Sequence, residues 1–357
     1  MTLYQSAVYR ADLETAIQHI VGADALRGSS VLVTGASGTI GSFLVDTLLQ
    51  MNLSCGAGIR VIAAGRNRET LVRRFSWAGE CAPLCVNYDM RAPIGFDLQA
   101  DYIIHAAGNA SPAAFNGDPV GTIAGNVQGT LALLDYAKAH GAKRFLYVSS
   151  GEVYGTGHTG PDPLKENECG ALDITSPRAC YPSSKRAAET LCAAYSAQYG
   201  VDTVIVRPCH TYGPGMTEAD NRAHAQFLRN ALAGEEIVLK SAGEQMRSYS
   251  YVADCVSAML TVLLGGECAK AYNLANPEAR ATIAQLAQAF AQAAGTKVVF
   301  ALPTQAEIKD RSPIARQVLD TKKLEALGWR GAYPVQRGAE HALAILRECS
   351  GKRGMDR

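Results

Sequence analysis

The tightest constraint on this chain is the stretch Gly35-Ala36-Ser37-Gly38-Thr39-Ile40-Gly41, set between a β-branched apolar run and a helical pattern. The run before it is Ser30-Val31-Leu32-Val33-Thr34; after it, Phe43, Leu44, Thr47, Leu48 and Met51 recur at helical spacing. Strand, glycine turn and helix in this order is the context in which such a motif holds a dinucleotide. Glycines let the backbone approach a pyrophosphate, and the helix N-terminus offers unpaired N–H groups and a favourable dipole. A glycine-rich turn without a ligand is the plain alternative.

Further apolar runs follow at Ile59–Ala64, Leu84–Asn87, Asp101–Ala107, Phe145–Ser149 and Thr203–Arg207, separated by helical patterns near Arg68–Phe75, Val120–His140 and Pro182–Tyr199. Strands alternating with helices predict an α/β protein with a Rossmann-type, doubly wound parallel sheet over residues 29–212. The alternation weakens afterwards. A helix near Ala223–Ala233, a strand Ile237–Leu239 and helices near Val252–Leu264 and Ile283–Ala293 predict a smaller C-terminal lobe over 213–345. Residues 1–28 read as an N-terminal amphipathic helix carrying Leu13, Ile17, Ile20 and Val21, and 346–357 as a frayed tail.

Charge narrows the function classes. With 34 basic and 33 acidic side chains in 357 residues and no like-charge block, neither a nucleic-acid-binding protein nor an acidic tail is expected. No apolar run reaches the ~20 residues of a membrane span. The first residues lack the basic and apolar regions of an export signal, so a cytoplasmic protein is expected. The 10 cysteines include no paired Cys-x-x-Cys, so they read as reduced thiols and no metal site is expected. His19, His140, His158, His224 and His341 read as surface or cap residues, His105 as packing at a strand end or lining the cofactor cleft, and Cys209 as a packing thiol or one that touches the nicotinamide.

The strongest chemical signal is Tyr181-Pro182-Ser183-Ser184-Lys185. Tyrosine and lysine four apart share one helix face, and a nearby ammonium favours phenolate, so Tyr181 can act as a base. Such a pair alone is common on surfaces; its place after the fifth strand–helix unit is what makes it a catalytic candidate. Upstream lies Ser149-Ser150-Gly151-Glu152-Val153-Tyr154-Gly155 at the C-terminal end of a predicted strand, where parallel sheets present their chemistry. Ser150 is the candidate to hold the reacting oxygen against Tyr181. Glu152 is either a second acid/base or a salt-bridged loop carboxylate.

The second strand ends Ala64-Gly65-Arg66-Asn67-Arg68, without the carboxylate that would meet a ribose 2′-hydroxyl. Arg66 or Arg68 either pairs with the extra phosphate of NADP or solvates a helix start. Asp89 is placed to meet the adenine edge, or is a turn residue.

With these residues in view, the chain resembles the extended short-chain dehydrogenases/reductases that modify nucleotide-activated sugars. The glycine spacing, the Tyr/Lys pair, His105-Ala106-Ala107-Gly108, Asn126-Val127-Gln128-Gly129-Thr130, Arg207-Pro208 with Tyr212-Gly213-Pro214, and Arg247 to Asp254 carry the resemblance over residues 29–345. It is most similar to UDP-glucuronate decarboxylases through Ala110-Ser111-Pro112, Arg178-Ala179-Cys180-Tyr181 and Lys185 to Leu191.

The resemblance implies an NAD cofactor, with NADP as the alternative, lined by the glycine turn with Ser37, Thr39 and Ile40, by Arg66, Asp89 and Met90, by Ala106, Ala107 and Gly108, and by Asn126, Tyr181, Lys185 and Pro208. It implies a nucleotide-sugar substrate met by Ser111, Ser150, Glu152, His210 and Arg247, and a homodimer through a four-helix interface. Glu152 would act near C5, and Arg247 would reach the substrate's phosphate or carboxylate end.

The family mechanism is redox-neutral: oxidation at C4, a transient 4-keto sugar, then return of the hydride. One such intermediate serves decarboxylation, 4- or 5-epimerisation and 4,6-dehydration. Three departures stand out: Gly151 for the family's Ser, His210 for its Asn, and the missing ribose carboxylate. Gly151 also stands where the dehydratases carry an acidic Asp, which makes that elimination hard.

Overall fold

The computed structural model describes residues 2–110, 112–156, 160–216, 220–302, 314 and 316–351. Seven parallel strands form the main sheet: β1 (Ser30–Thr34), β2 (Arg60–Gly65), β3 (Leu84–Asn87), β4 (Tyr102–His105), β5 (Arg144–Val148), β6 (Thr203–Pro208) and β10 (Lys270–Leu274). Their order is β10-β6-β5-β4-β1-β2-β3, so the direction in which successive strands are added reverses between β1 and β4. That reversal opens a crevice at the strands' C-terminal ends, the binding site such sheets offer. Register puts Thr34 opposite both Ala64 and His105, so the glycine turn and the end of β4 stand side by side. Helices α2 (Thr39–Cys55), α3 (Arg68–Phe75), α5 (Pro119–Ala139) and α6 (Cys180–Tyr199) connect the strands, with a short α4 (Pro112–Gly117) before α5. The strands are buried on both faces, as their near-continuous apolar runs require.

The smaller lobe is built on β9 (Met246–Tyr251), which pairs with β7 (His210–Tyr212), β11 (Arg280–Thr282) and β13 (Arg316–Gln317). A second pair, β8 (Ile237–Leu239) with β12 (Val298–Phe300), and helices α7 (Ala223–Ala233) and α9 (Ile283–Ala294) complete it. Helix α8 (Val252–Gly265) then leads back to β10 at the edge of the main sheet. The lobe draws mainly on residues 213–345, with β7 joining it from just before that stretch and β10 returning from it to the main sheet. Periodicity finds an element without saying which sheet it joins.

The N-terminal segment differs from one long helix. Helix α1 is only Ala7–Gln18, capped by the Ser6 side chain accepting from Tyr9 N, and a separate turn follows at Ala23–Leu26 after Gly22 in the left-handed region. Tyr9, Asp12, Leu13 and Ala16 make its buried face. At the other end, after the short α10 (Lys322–Glu325), helix α11 (Val335–Gly351) runs on through Glu348 and is not frayed there; residues 352–357 lie outside the described residues.

Asp12 shows what α1 does. Its fully buried carboxylate accepts hydrogen bonds from Tyr251 Oη at 2.6 Å, Tyr333 Oη at 2.7 Å and His341 Nδ1 at 2.7 Å. On the same helix Tyr9 Oη donates to the buried Asp46 of α2 at 2.6 Å, where Trp77 Nε1 also donates at 3.0 Å. The N-terminal segment thus stitches the lobe to the cofactor half. Replacing Asp12 by Ala leaves two buried tyrosine hydroxyls and the half-buried His341 without their partner and should cost about 3 kcal/mol. Urea unfolding reads it as a lowered midpoint; an unchanged midpoint contradicts the stitch.

Candidate active site

The glycine turn is shaped by close approach. Gly35 has φ +70°, and a Cβ there would lie 2.7 Å from Ala106 O. A Cβ on Gly41 would lie 2.2 Å from Gly35 O. Gly38 is the N-cap of α2 and offers no side chain to the amides of its first turn. Ser37 and Gly38 are exposed, Ile40 is half-buried, and Thr39 Oγ1 donates to Gly215 O at 3.2 Å. Gly41→Ala should push α2 off the turn and weaken NAD binding at least tenfold, at an overpacking cost of about 1–3 kcal/mol. Cofactor titration checks this; wild-type affinity would contradict it.

Around the turn, Arg66 is exposed at the end of β2. Arg68 instead donates from Nε to Cys85 O at 3.0 Å, and Asn67 caps α3. Asp89 accepts from Arg91 N at 2.9 Å, as a turn residue does. Met90 packs against α5, where a Cβ on Gly129 would come within 2.7 Å of its Cβ. His105 is buried at the end of β4, bonded through Nδ1 to Thr34 Oγ1 at 2.8 Å, and burial, with the nearby Lys185 charge, pushes it down to about 3. Among the described residues no cluster of three His, Cys, Asp or Glu is arranged to hold a metal.

Tyr181 enters the cleft from the first turn of α6, where Pro182 is tolerated because its missing N–H has no helical acceptor. The ring is buried and stacks on Phe115, centroids 5.2 Å apart at 18°. Burial pushes the phenol up to about 12 and the Glu152 charge adds to this; a hydrogen bond with Ser150 and the charges of Arg222 and Arg178 oppose it. Lys185 is also buried. Its Nζ donates to Val148 O at 2.9 Å and lies 5.8 Å from the Tyr181 ring centroid, so β5 holds the ammonium beside the phenol. Burial brings Lys185 down to about 8, with Glu189 opposing.

Asn126 Nδ2 donates to Ser184 Oγ at 2.9 Å, and Ser184 Oγ donates to Tyr181 O at 2.9 Å. Ser184 escaped the sequence reading although it lies inside the Tyr-to-Lys motif. A Cβ on Gly108 would stand 3.5 Å from both Asn126 Oδ1 and Lys185 Nζ, so this glycine leaves the floor of the cleft open.

Ser150 and Glu152 stand on the turn after β5, with Ser150 Oγ accepting from Glu152 N at 3.2 Å. Glu152 is salt-bridged to Arg178, at 2.9 Å. Gly151 O accepts from Gln317 Nε2 at 2.8 Å, which ties the turn to β13; nothing in the sequence signals this contact. Pro208 O lies 3.6 Å from the Cβ position of Gly151.

On the lobe side, His210 of β7 pairs with Tyr249 of β9, and burial, then the Arg247 and Arg222 charges, push its imidazole down to about 3. Arg247 is buried and donates to the backbone oxygens of Met246 and Ile314. Arg222, unnoticed in the sequence, grips Asp220 with Nη2 at 2.6 Å and Nε at 2.9 Å. Two histidines differ from the surface reading. His224 is buried beside this group with Nε2 lacking a partner among the described residues, and His341 belongs to the Asp12 network. Ser111 and His158 lie outside the described residues.

Residues 31–275 match the family model described as the NAD dependent epimerase/dehydratase family. Among curated proteins, the chain is 33% identical over 323 residues to UDP-glucuronic acid decarboxylase 1 of Xenopus tropicalis, covering 89% of this chain and 72% of that one. It is 33% identical over 312 residues to UDP-glucuronic acid decarboxylase 5 of Arabidopsis thaliana, covering 86% of each. Among solved structures it is similar to the UDP-glucose 4-epimerase of Thermotoga maritima with UDP-glucose, at 25% identity and TM-score 0.74 over 90% of this chain and 99% of that one. A dTDP-glucose 4,6-dehydratase of Streptomyces venezuelae with NAD bound gives 26% identity and TM-score 0.74 over 90% and 98%.

Proposed function

This chain belongs to the NAD dependent epimerase/dehydratase family as an enzyme that modifies nucleotide sugars, and from that premise we propose that it decarboxylates UDP-glucuronate through a transient 4-keto sugar. The observation that carries the reading is that Glu152 and Tyr181 share one corner: Arg178 pairs with Glu152 at 2.9 Å and stands over the Phe115 ring, which stacks on Tyr181. Two proton-handling groups then meet neighbouring carbons of one sugar ring, C4 and C5.

The cleft fits NAD. The turn at Gly35 and Gly41 admits no side chain, the first turn of α2 has no side-chain cap, and Gly108 keeps clear the space before Lys185. NAD held there would supply a hydride acceptor for C4 and a store from which the hydride returns. The glycine turn with Ser37, Thr39 and Ile40 would hold the pyrophosphate; Arg66, Asp89 and Met90 flank the adenosine end, and Ala106, Ala107, Asn126 and Pro208 line the rest. The exposed Arg66 is the one feature that would admit NADP instead.

Tyr181 takes the proton of the C4 hydroxyl, Ser150 holds that oxygen, and Lys185 keeps positive charge beside the phenolate. The C4 ketone makes the C6 carboxylate a β-keto acid. Its C5–C6 bond breaks to release carbon dioxide, and the electron pair enters an enolate that is protonated at C5. Glu152 handles that proton. His210, held neutral, and Arg247 stand on the lobe side, where Arg247 would reach the substrate's phosphate or carboxylate end, and Ser111 is assigned to the substrate as well.

Val120, Ile123 and Leu131 of α5 and Tyr199 of α6 are exposed apolar residues, which supports a homodimer through these two helices. No helix among the described residues is long and apolar enough to cross a membrane. A cytoplasmic location is part of the proposal. The test is the cofactor spectrum of the NAD-loaded protein on adding UDP-glucuronate: transient reduction supports C4 oxidation, and a silent cofactor with unchanged sugar refutes it.

A further inference from the structure

Lys185 carries its charge in poor surroundings for an ammonium. The side chain is 3% exposed, and among the described residues its Nζ makes one hydrogen bond, to Val148 O. Burying a charge is costly unless a counter-charge or a set of acceptors replaces water. An ammonium has three N–H donors, and one carbonyl does not replace water.

The nearby carboxylate is already engaged. Glu189 lies one helical turn beyond Lys185 in α6, but Arg207 grips both its oxygens, Oε2 from Nη2 at 2.6 Å and Oε1 from Nε at 2.9 Å. Its charge reaches Lys185 only as a weak opposition to burial. The other titratable groups around Nζ are neutral. On β4, burial and then the Lys185 charge push His105 down to about 3. On α6, burial pushes the Tyr181 phenol up to about 12 and raises the Cys192 thiol. From α5 the neutral Asn126 amide reaches the same space.

What meets the ammonium is a ring. Tyr147 lies in β5, cross-strand from His105 of β4 and Ile205 of β6, and its side chain is fully buried. Nζ stands over that ring at 4.8 Å from its centroid, closer than the 5.8 Å to the Tyr181 ring. The His105 ring packs on the same side chain, centroids 5.7 Å apart at 49°. An aromatic face is negative by its quadrupole and attracts a cation within about 6 Å of the centroid, most strongly where water is excluded. Packing under α5 and α6 asks only for a large apolar residue at this position. The ammonium is what gives an aromatic face its use there.

We propose that Tyr147 is a positioning residue for the reaction: its ring face keeps the Lys185 ammonium charged and in place beside the Tyr181 phenol, the service a carboxylate would otherwise perform. This rests on the reading of Lys185 as the cation that favours Tyr181 phenolate, and it is indifferent to which sugar is bound.

The test is an NMR titration of Lys185 in the NAD-loaded protein, with lysines carbon-13 labelled at Cε and Lys185→Met to assign the signal. Wild type and Tyr147→Phe should titrate together, since both present a ring face. Attraction to the ring stabilises the charged form, so its loss lowers the value. Tyr147→Leu should therefore titrate about one pH unit lower, and the alkaline fall in turnover of UDP-glucuronate should move down with it. Phenylalanine carrying one, three or five ring fluorines at position 147 keeps the ring's shape while draining its negative face. Along that series the Lys185 titration should fall stepwise, which covers a Tyr147→Leu protein that does not fold. A titration unmoved in Tyr147→Leu, equal shifts in Tyr147→Phe and Tyr147→Leu, or no trend along the fluorinated series would each overturn the assignment.

Carbon dioxide release by the wild type is followed separately. A Lys185 titration that follows the ring without any release supports Tyr147 and removes the decarboxylation. Release with a titration indifferent to the ring does the reverse.

Discussion

Replacing Tyr181 by Phe should lower turnover of UDP-glucuronate by about a thousandfold, within the range for loss of a general base. The variant keeps the ring that stacks on Phe115 and loses only the hydroxyl, so melting temperature and NAD affinity should change little. The pH profile adds a signed expectation. Lys185 is lowered to about 8 by its burial, so its ammonium is present below that pH and lost above it. Phenolate loses its nearest positive charge as pH rises through this value, and activity carried by the ammonium should fall on the alkaline side of about 8. Lys185→Met should remove that inflection along with most of the activity. Stopped-flow turnover across pH for the three proteins checks this; near-wild-type rates in Tyr181→Phe would remove the base from the account.

Changing Glu152 to Gln has the second-largest expected effect and separates the reaction classes. The amide keeps the shape of the side chain but neither takes a proton nor holds the Arg178 salt bridge as a charge pair. Steady-state carbon dioxide release, which needs C5 protonated and the hydride returned before the next turnover, should fall at least a hundredfold, the scale of a lost acid/base group. Oxidation at C4, which belongs to Tyr181, should persist and show as a reduced cofactor that accumulates. A simple 4-epimerisation needs no group acting at C5 and would survive the change. Release of carbon dioxide at the wild-type rate would refute the role given to Glu152.

The local part of this picture is legible in the chain. The strand Ser30–Thr34, the three glycines and the helix after them can be read because their meaning lies in short-range spacing. Tyr181 and Lys185 can be read for the same reason, lying four apart on one helix. Long-range partners are another matter. Nothing near Glu152 in sequence announces Arg178, 26 residues away, or near Gly151 announces Gln317, 166 residues away.

His341 and Asp12 meet across 329 residues, which is why a half-buried, bonded histidine passed for a free surface one. His224 carries no local signal at all; only the packing of α7 buries it. Strand β10, Lys-Ala-Tyr-Asn-Leu, carries no apolar run to find it by, and it joins the main sheet beside β6 after α8, which packs on α1 and α2. Periodicity reports which side of an element faces inward. It does not report what that side will meet.

The central claim, decarboxylation through a 4-keto sugar, is tested most directly by NMR of the protein with UDP-glucuronate and NAD, following the anomeric and H5 signals. The account predicts two protons at C5 and loss of the carboxylate carbon as carbon dioxide. A changed H4 coupling with the carboxylate intact would contradict it and make the chain a uronate epimerase.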